Sequence, residues 1–232
     1  MSESKKLIII TGGAQGLGKE IASTLHNSGK HELVLVDINE ELLKKTSQDL
    51  GCSFYVCDVS NYSQVSALIK VIIEEHGPID VLLNNAGVMI TGPLEGYSPE
   101  NIKKTFDVNT LGPIYMSHAA VPHMKEKKSG IILNVVSTAG IVAKAERTIY
   151  NASKHALAGF TDCLRDELAP FGISVLGIYP SLINTDLFKN AGFDRDMHDS
   201  LEPADVAKVV EFMLSFDKMQ LTQVVLKDIN HQ

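Results

Sequence analysis

A doubly wound α/β domain, with a parallel sheet of about seven strands covered by helices on both faces, is the fold class the sequence predicts. Short runs rich in β-branched residues alternate with longer segments of helical spacing, the pattern of successive βαβ units. The strand runs are continuously apolar, as they must be when helices cover both faces of a sheet. With 232 residues, 44% of them hydrophobic, and no internal repeat, low-complexity tract or linker, the chain reads as one domain over residues 1–232.

The predicted strands are Leu7 to Thr11, Leu33 to Val36, Phe54 to Val56, Val81 to Leu83, Ile131 to Val136, Ile173 to Ile178 and Val224 to Leu226. Helical spacing falls between them: Leu17 to Ser28, Asn39 to Asp49, Asn61 to His76, a long stretch from Pro99 to Lys125, Thr148 to Ala169, and Pro203 to Phe216. Charge-rich Asp194 to Glu202 reads as a mobile surface loop.

Composition removes several classes of function. The formal charge is -7, from 21 Lys and Arg against 28 Asp and Glu, which disfavours nucleic acid and anionic membrane surfaces as partners. The apolar run Leu7 to Ile10 is too short for a signal-peptide core, and no stretch reaches the roughly 18 to 20 apolar residues of a membrane span, so a cytoplasmic chain is expected. Cys52, Cys57 and Cys163 show no CxxC spacing and read as free thiols. His118, His123 and His155 are not spaced to share a ligand, and no metal site is expected.

Where the first strand meets the first helix stands Thr11-Gly12-Gly13-Ala14-Gln15-Gly16-Leu17-Gly18. Bare backbone N–H groups and the helix dipole favour a phosphate there, and glycines let the backbone approach it. The spacing is GxxxGxG, so the loop alone is a weak dinucleotide signal, and a merely structural turn is the bland alternative. Gly13 to Lys19 also reads GxxxxGK, but Glu20 replaces the Ser or Thr a P-loop needs for Mg²⁺. Asp37 ends the second strand nineteen positions after Gly18, where a carboxylate can accept the ribose hydroxyls of an adenosine and repel a 2′-phosphate. With no Arg or Lys at Ala14, Gln15 or Leu17, NAD(H) is favoured over NADP(H). An aspartate there also reads as a turn or cap before Asn39.

Tyr150 and Lys154, four apart in a helical segment, share one face. A neighbouring ammonium favours the phenolate, at about 1.4 kcal/mol per unit of pKa, and a tyrosine so tuned can exchange a proton with a carbonyl or hydroxyl oxygen. Alone, such a pair is common on any helix.

Its surroundings are not common. Gly12 to Gly18, Asn84-Asn85-Ala86-Gly87, Asn109, Ser137 and Tyr150-Asn151-Ala152-Ser153-Lys154 together resemble the short-chain dehydrogenase/reductase family, in its order along nearly the whole chain. The resemblance implies a Rossmann-type domain that moves hydride between NAD(H) and a carbonyl or secondary alcohol. It makes Tyr150 the general acid/base, gives Ser137 the substrate oxygen, gives Lys154 the nicotinamide ribose, and has Asn109 anchor a water in a proton relay. It also implies cofactor contacts at Gly12, Gly16, Leu17 and Gly18 (pyrophosphate), Asp37 (adenosine ribose), Asp58 and Val59 (adenine), and Asn84, Ala86 and Gly87 (the adenosine half). Pro180, Ile183 and Thr185 would lie near the carboxamide.

Two departures stand out: Ser181 follows Pro180 where the family has Gly, and Gln220 to Gln232 lacks the usual Asp-Gly-Gly ending. Adjacency to the motifs suggests Met89, Ile90, Ile141, Val142, Leu187 and Phe188 as pocket walls. Association into a homodimer or homotetramer is a further implication of the resemblance. A different class, an idle NAD(H)-sensing protein on the same fold, is the alternative, since fold does not imply activity.

Overall fold

The computed structural model describes residues 5–187, 200–216 and 219–229. Among these, seven strands form one sheet: β1 (Lys6–Thr11), β2 (His31–Asp37), β3 (Ser53–Val56), β4 (Val81–Asn84), β5 (Gly130–Val135), β6 (Ile173–Pro180) and β7 (Gln223–Leu226). Every pairing is parallel and the order is β3-β2-β1-β4-β5-β6-β7. The chain works outward from β1 to β3, then returns across it to place β4 on the other side, which opens a crevice at the carboxyl ends of β1 and β4.

The helices are α1 (Gly16–Asn27), α2 (Glu40–Leu50), α3 (Tyr62–His76), α4 (Pro99–Phe106), α5 (Gly112–Lys127), α6 (Thr148–Leu168) and α7 (Pro203–Leu214). Side chains alternate along each strand, so the apolar runs feed two cores. Ile8, Ile10, Leu33 and Leu35 pack with Ile21 and Leu25 of α1 and Val206 and Val210 of α7. Leu7, Ile9, Val34 and Val36 pack on the other face with Ile69 and Ile72 of α3 and Met116 and Met124 of α5. Asn39 and Asn61 begin α2 and α3 by accepting from the backbone N–H groups of Leu42 (3.1 Å) and Gln64 (3.2 Å).

One predicted element is corrected. Pro99 to Lys125 is helical throughout but not uniformly α-helical: α4 ends at Phe106, a π-turn occupies Asp107–Leu111, and α5 starts at Gly112. Pro113 supplies the reason, because it has no N–H for the carbonyl of Asn109, four residues back, and its ring would collide with that carbonyl in a regular helix. Close packing fixes the junction, since a Cβ on Gly112 would lie 2.9 Å from Cγ2 of Val59. No helix among the described residues is long and apolar enough to cross a membrane.

Candidate active site

The glycine loop packs directly on the residues that follow β4. A Cβ on Gly18 would fall 2.0 Å from the Gly12 carbonyl oxygen, and one on Gly12, whose φ is +67°, would fall 2.8 Å from Asn85 Nδ2. Asn85 ties the loop down by donating Nδ2 to the carbonyls of Thr11 (3.0 Å) and Gly12 (3.1 Å). Thr11 Oγ1 reciprocates by accepting from the N–H groups of Asn85 (3.0 Å) and Ala86 (3.1 Å). α1 then begins with no side-chain cap and no acidic residue in its first turn, which leaves its N–H groups and the positive end of its dipole for an anion. Leu17 and Gly18 are buried in that first turn, and Thr185 stands opposite Gly16, its Cγ2 3.6 Å from where a Cβ would be.

Asp37 serves the loop as well. Its carboxylate accepts from Ala14 N (3.1 Å) and Asn39 N (3.0 Å), so the turn reading and the ribose reading describe the same residue. A carboxylate offers about four lone-pair sites, and two are left for hydroxyl groups. Asp58 is occupied by a turn, accepting from Ser60 N (2.9 Å) and Ser60 Oγ (2.6 Å), with Val59 buried beside it.

Asn84 sits beneath the crevice. Its Nδ2 donates to Asn134 Oδ1 (2.9 Å) on the neighbouring strand, while its Oδ1 is buried without a partner. The side chain that grips the loop is that of Asn85, which sequence reasoning passed over because two adjacent asparagines at a strand end look alike until the pleat is known. Gly87 lies where a Cβ would come 3.4 Å from Asn109 Oδ1 and 3.9 Å from Lys154 Nζ.

Tyr150 and Lys154 do project from one face of α6, both buried, with Lys154 Nζ 6.0 Å from the Tyr150 ring centroid. The ammonium donates to the Val135 carbonyl at 3.0 Å, which leaves two of its three donors for a ligand. Burial holds Lys154 down at about 8. Burial also pushes the Tyr150 phenol up, opposed by the Ser137 hydroxyl hydrogen-bonded to it and by the nearby Arg147 guanidinium. The balance therefore differs from the expectation that Lys154 makes the phenol acidic: in this state desolvation is the larger effect.

Ser137 follows β5 with φ +139°, a conformation that a residue with a Cβ rarely adopts and that is held here by its surroundings. Its Oγ accepts from Ala139 N at 3.1 Å, so its hydrogen is available to the phenol. Asn109 is fully buried in the π-turn: Oδ1 accepts from Val88 N (2.8 Å), and Nδ2 donates to the Val88 carbonyl (2.9 Å) and Ser153 Oγ (3.1 Å). Ser153 in turn donates to the Tyr150 carbonyl at 2.7 Å. The side chain of Asn109 thus clamps the loop after β4 to the turn of α6 that bears the tyrosine.

Pro180 closes β6 beside Leu226, Ile183 enters the core, and Thr185 N donates to the Ile183 carbonyl at 2.8 Å. Of the suggested pocket walls, Met89 and Leu187 pack with Tyr150, Ala139 and Leu182, and Val142 lines the pocket beside Ser137. Ile141 is exposed, the carbonyl of Ile90 accepts the Tyr97 hydroxyl at 3.1 Å, and Phe188 lies outside the described residues, as does 194–199 of the charged loop. Leu182, Ser181 and Arg147 were not anticipated as lining residues. Arg147 stands just before α6 with φ −130° and ψ 24°, so no helical spacing marked it.

A dinucleotide fits what is present: a loop whose glycines any Cβ would fill, an uncapped helix start, and a buried ammonium with two donors to spare. A family model described as short chain dehydrogenase matches residues 6–196. The chain belongs to that family. This short-chain dehydrogenase is 34% identical over 252 residues to a diacetyl reductase, (S)-acetoin forming, of Staphylococcus epidermidis, covering 96% of this chain and 97% of that one. Its fold is similar to that of a 3-ketoacyl-(acyl-carrier-protein) reductase from Brucella melitensis complexed with NADH (TM-score 0.91, 26% identity, 98% and 99% of the two chains). It is equally similar to the closed form of a serine dehydrogenase complexed with NADP+ (TM-score 0.91, 25% identity, 97% and 96%). The chain is therefore an oxidoreductase of a family that uses nicotinamide cofactors on small molecules.

Proposed function

We propose that this short-chain dehydrogenase transfers a hydride between NAD(H) and a carbonyl or secondary alcohol, with Tyr150 exchanging the proton. The observation that carries the reading is the Ser137 hydroxyl on the Tyr150 phenol, with the Lys154 ammonium one helical turn away. When bound, the nicotinamide supplies or accepts the hydride. Ser137 holds the substrate oxygen against the phenol. Tyr150, kept protonated by burial, gives its proton to that oxygen in reduction, and Lys154 and Arg147 stabilise the phenolate left behind. Asn109 positions α6, and its place beside Gly87 and Lys154 suits the relay that returns the proton.

Gly12, Gly16, Leu17 and Gly18 would take the pyrophosphate, and Asp37 the adenosine ribose, with its charge favouring NAD(H) over NADP(H). Asp58, Val59, Ala86 and Gly87 would flank the adenosine half, with Asn84 supporting them from below, and Pro180, Ile183 and Thr185 would border the nicotinamide end. Residues 1–232 would act as one domain, in the cytoplasm, as a homodimer or homotetramer that sedimentation would reveal. Replacing Tyr150→Phe is expected to lower carbonyl reduction ~10²–10⁴-fold while NADH binding persists. A parent protein as inactive as the variant on a broad carbonyl panel, yet binding NADH, would establish the alternative of an idle sensor.

A further inference from the structure

We propose that Thr46 of α2 is a positioning residue for nucleotide choice: its hydroxyl holds the Ala14 carbonyl of the glycine loop, and so keeps Asp37 aimed at an adenosine ribose without a 2′-phosphate. The proposal rests on the proposed function, in which Asp37 takes that ribose, and adds the residue that holds it in place. Thr46 Oγ1 donates to the Ala14 carbonyl at 2.8 Å, and both residues are 2% exposed. A threonine inside a helix ordinarily turns its hydroxyl back on a carbonyl of its own helix. This one reaches out to another element.

The Ala14 carbonyl needs that donor. The first carbonyl that α1 takes is that of Gln15, from Lys19 N at 3.3 Å, so the carbonyl of Ala14 lies outside the helix it precedes. The other side of Ala14 is held by Asp37, whose Oδ2 accepts from its N–H at 3.1 Å. Asp37 Oδ1 accepts from Asn39 N at 3.0 Å, and the Asn39 side chain caps α2. Thr46 stands about two turns further along that helix, and hence on the same face. The circuit closes: Ala14 to Asp37, Asp37 to Asn39, along α2 to Thr46, and back to Ala14. Of the other buried residues of α2, Leu43 is apolar and Ser47 donates to the Cys52 carbonyl at 2.5 Å, so the duty falls to Thr46.

With one backbone contact on each of its oxygens, the Asp37 carboxylate is held as firmly as Ala14 is. Removing the Thr46 hydroxyl strands a buried carbonyl, which then finds water or another donor by turning the peptide between Ala14 and Gln15. Only the molecules whose loop keeps its present form bind a nucleotide at full strength, and the apparent dissociation constant rises by the inverse of their fraction. NADH loses most, because its ribose hydroxyls use Asp37 as their acceptor. NADPH is repelled by the same carboxylate, so a carboxylate set loose costs it less.

The test is titration calorimetry of the full chain with NADH and with NADPH, without any carbonyl substrate. Thr46→Val keeps the shape and removes the hydroxyl; it is expected to weaken NADH ~10-fold and NADPH no more than ~3-fold, the scale of one stranded buried acceptor. Thr46→Ser keeps the hydroxyl and should bind NADH within ~2-fold of the parent. Thr46→Cys, whose S–H is a weak donor, should fall between the two, and it carries the test if Thr46→Val does not fold. In turnover the loss should appear in KM for NADH more than in kcat. A merely structural bond would lower the unfolding temperature of Thr46→Val and leave its nucleotide affinities as they were. That result, or an equal weakening of both nucleotides, overturns the assignment while the Asp37 reading stands. If the parent itself binds NADH and NADPH equally, the Asp37 reading fails and this assignment with it.

Discussion

Lys154 brings an ammonium into a place where the Val135 carbonyl is its hydrogen-bond acceptor, and where burial lowers its pKa from 10.5 to about 8. The unfolded chain binds this proton more tightly, so between about pH 8 and 10.5 it holds more protons than the folded one, and folding stability contributed here rises with pH across that window. Above it the group is neutral in both states; below about 8 the penalty is complete, on the order of 3 kcal/mol. Lys154→Met is therefore expected to be more stable than the parent at pH 7, with the difference vanishing by about pH 10.5, and to be inactive. Urea unfolding of both proteins at three pH values measures it; a parent more stable at neutral pH would contradict the account. The same residue shows the limit of local reasoning. Its spacing to Tyr150 was legible as an i, i+4 pair, but the burial that sets both pKa values was not, because desolvation comes from β5 and the loop after β4, far away in sequence.

At the scale of elements, the π-turn at Asp107–Leu111 does what a straight helix could not. It turns Asn109 inward to clasp both polar groups of Val88 and the Ser153 hydroxyl. The apolar spacing of Pro99 to Lys125 reads as a single helix since one bulge barely disturbs the period, and Pro113 did not by itself mark the fault, because Pro122 stands in the same segment and lies inside α5. Asn109→Ala would leave the Val88 N–H and carbonyl unpaired in a buried setting, at a cost of about 2–4 kcal/mol. It is expected to lower kcat more than it raises KM, because it loosens the turn that aims the phenol rather than a substrate contact. Chemical denaturation with steady-state kinetics checks both halves, and a variant of unchanged stability would remove the clamp from the argument. Loops fared similarly: Asp58 and Asp37 were legible as strand-end carboxylates, yet which backbone N–H groups they hold depended on the turns around them.

For the whole molecule, the candidate site draws on the ends of β1, β4, β5 and β6 and on two helices, so a ligand that fills it joins both halves of the sheet. NADH at one hundred times its dissociation constant is expected to add about 2.7 kcal/mol to the unfolding free energy, and NADPH at equal concentration much less because Asp37 repels a 2′-phosphate. Thermal unfolding with each nucleotide decides this, and equal protection would remove Asp37 as the discriminator. The sequence by itself determined the succession of strands and helices, the glycine turn and the tyrosine–lysine pair, since hydrophobic period and helical spacing are written in neighbouring residues. Tertiary structure alone decided which of Asn84 and Asn85 grips the loop, how far burial shifts Tyr150 and Lys154, and the meeting of Arg147 with Ser181 around one pocket. Those are properties of side chains brought together from distant positions and stripped of water, and neither the contact nor the dehydration exists until the chain has folded.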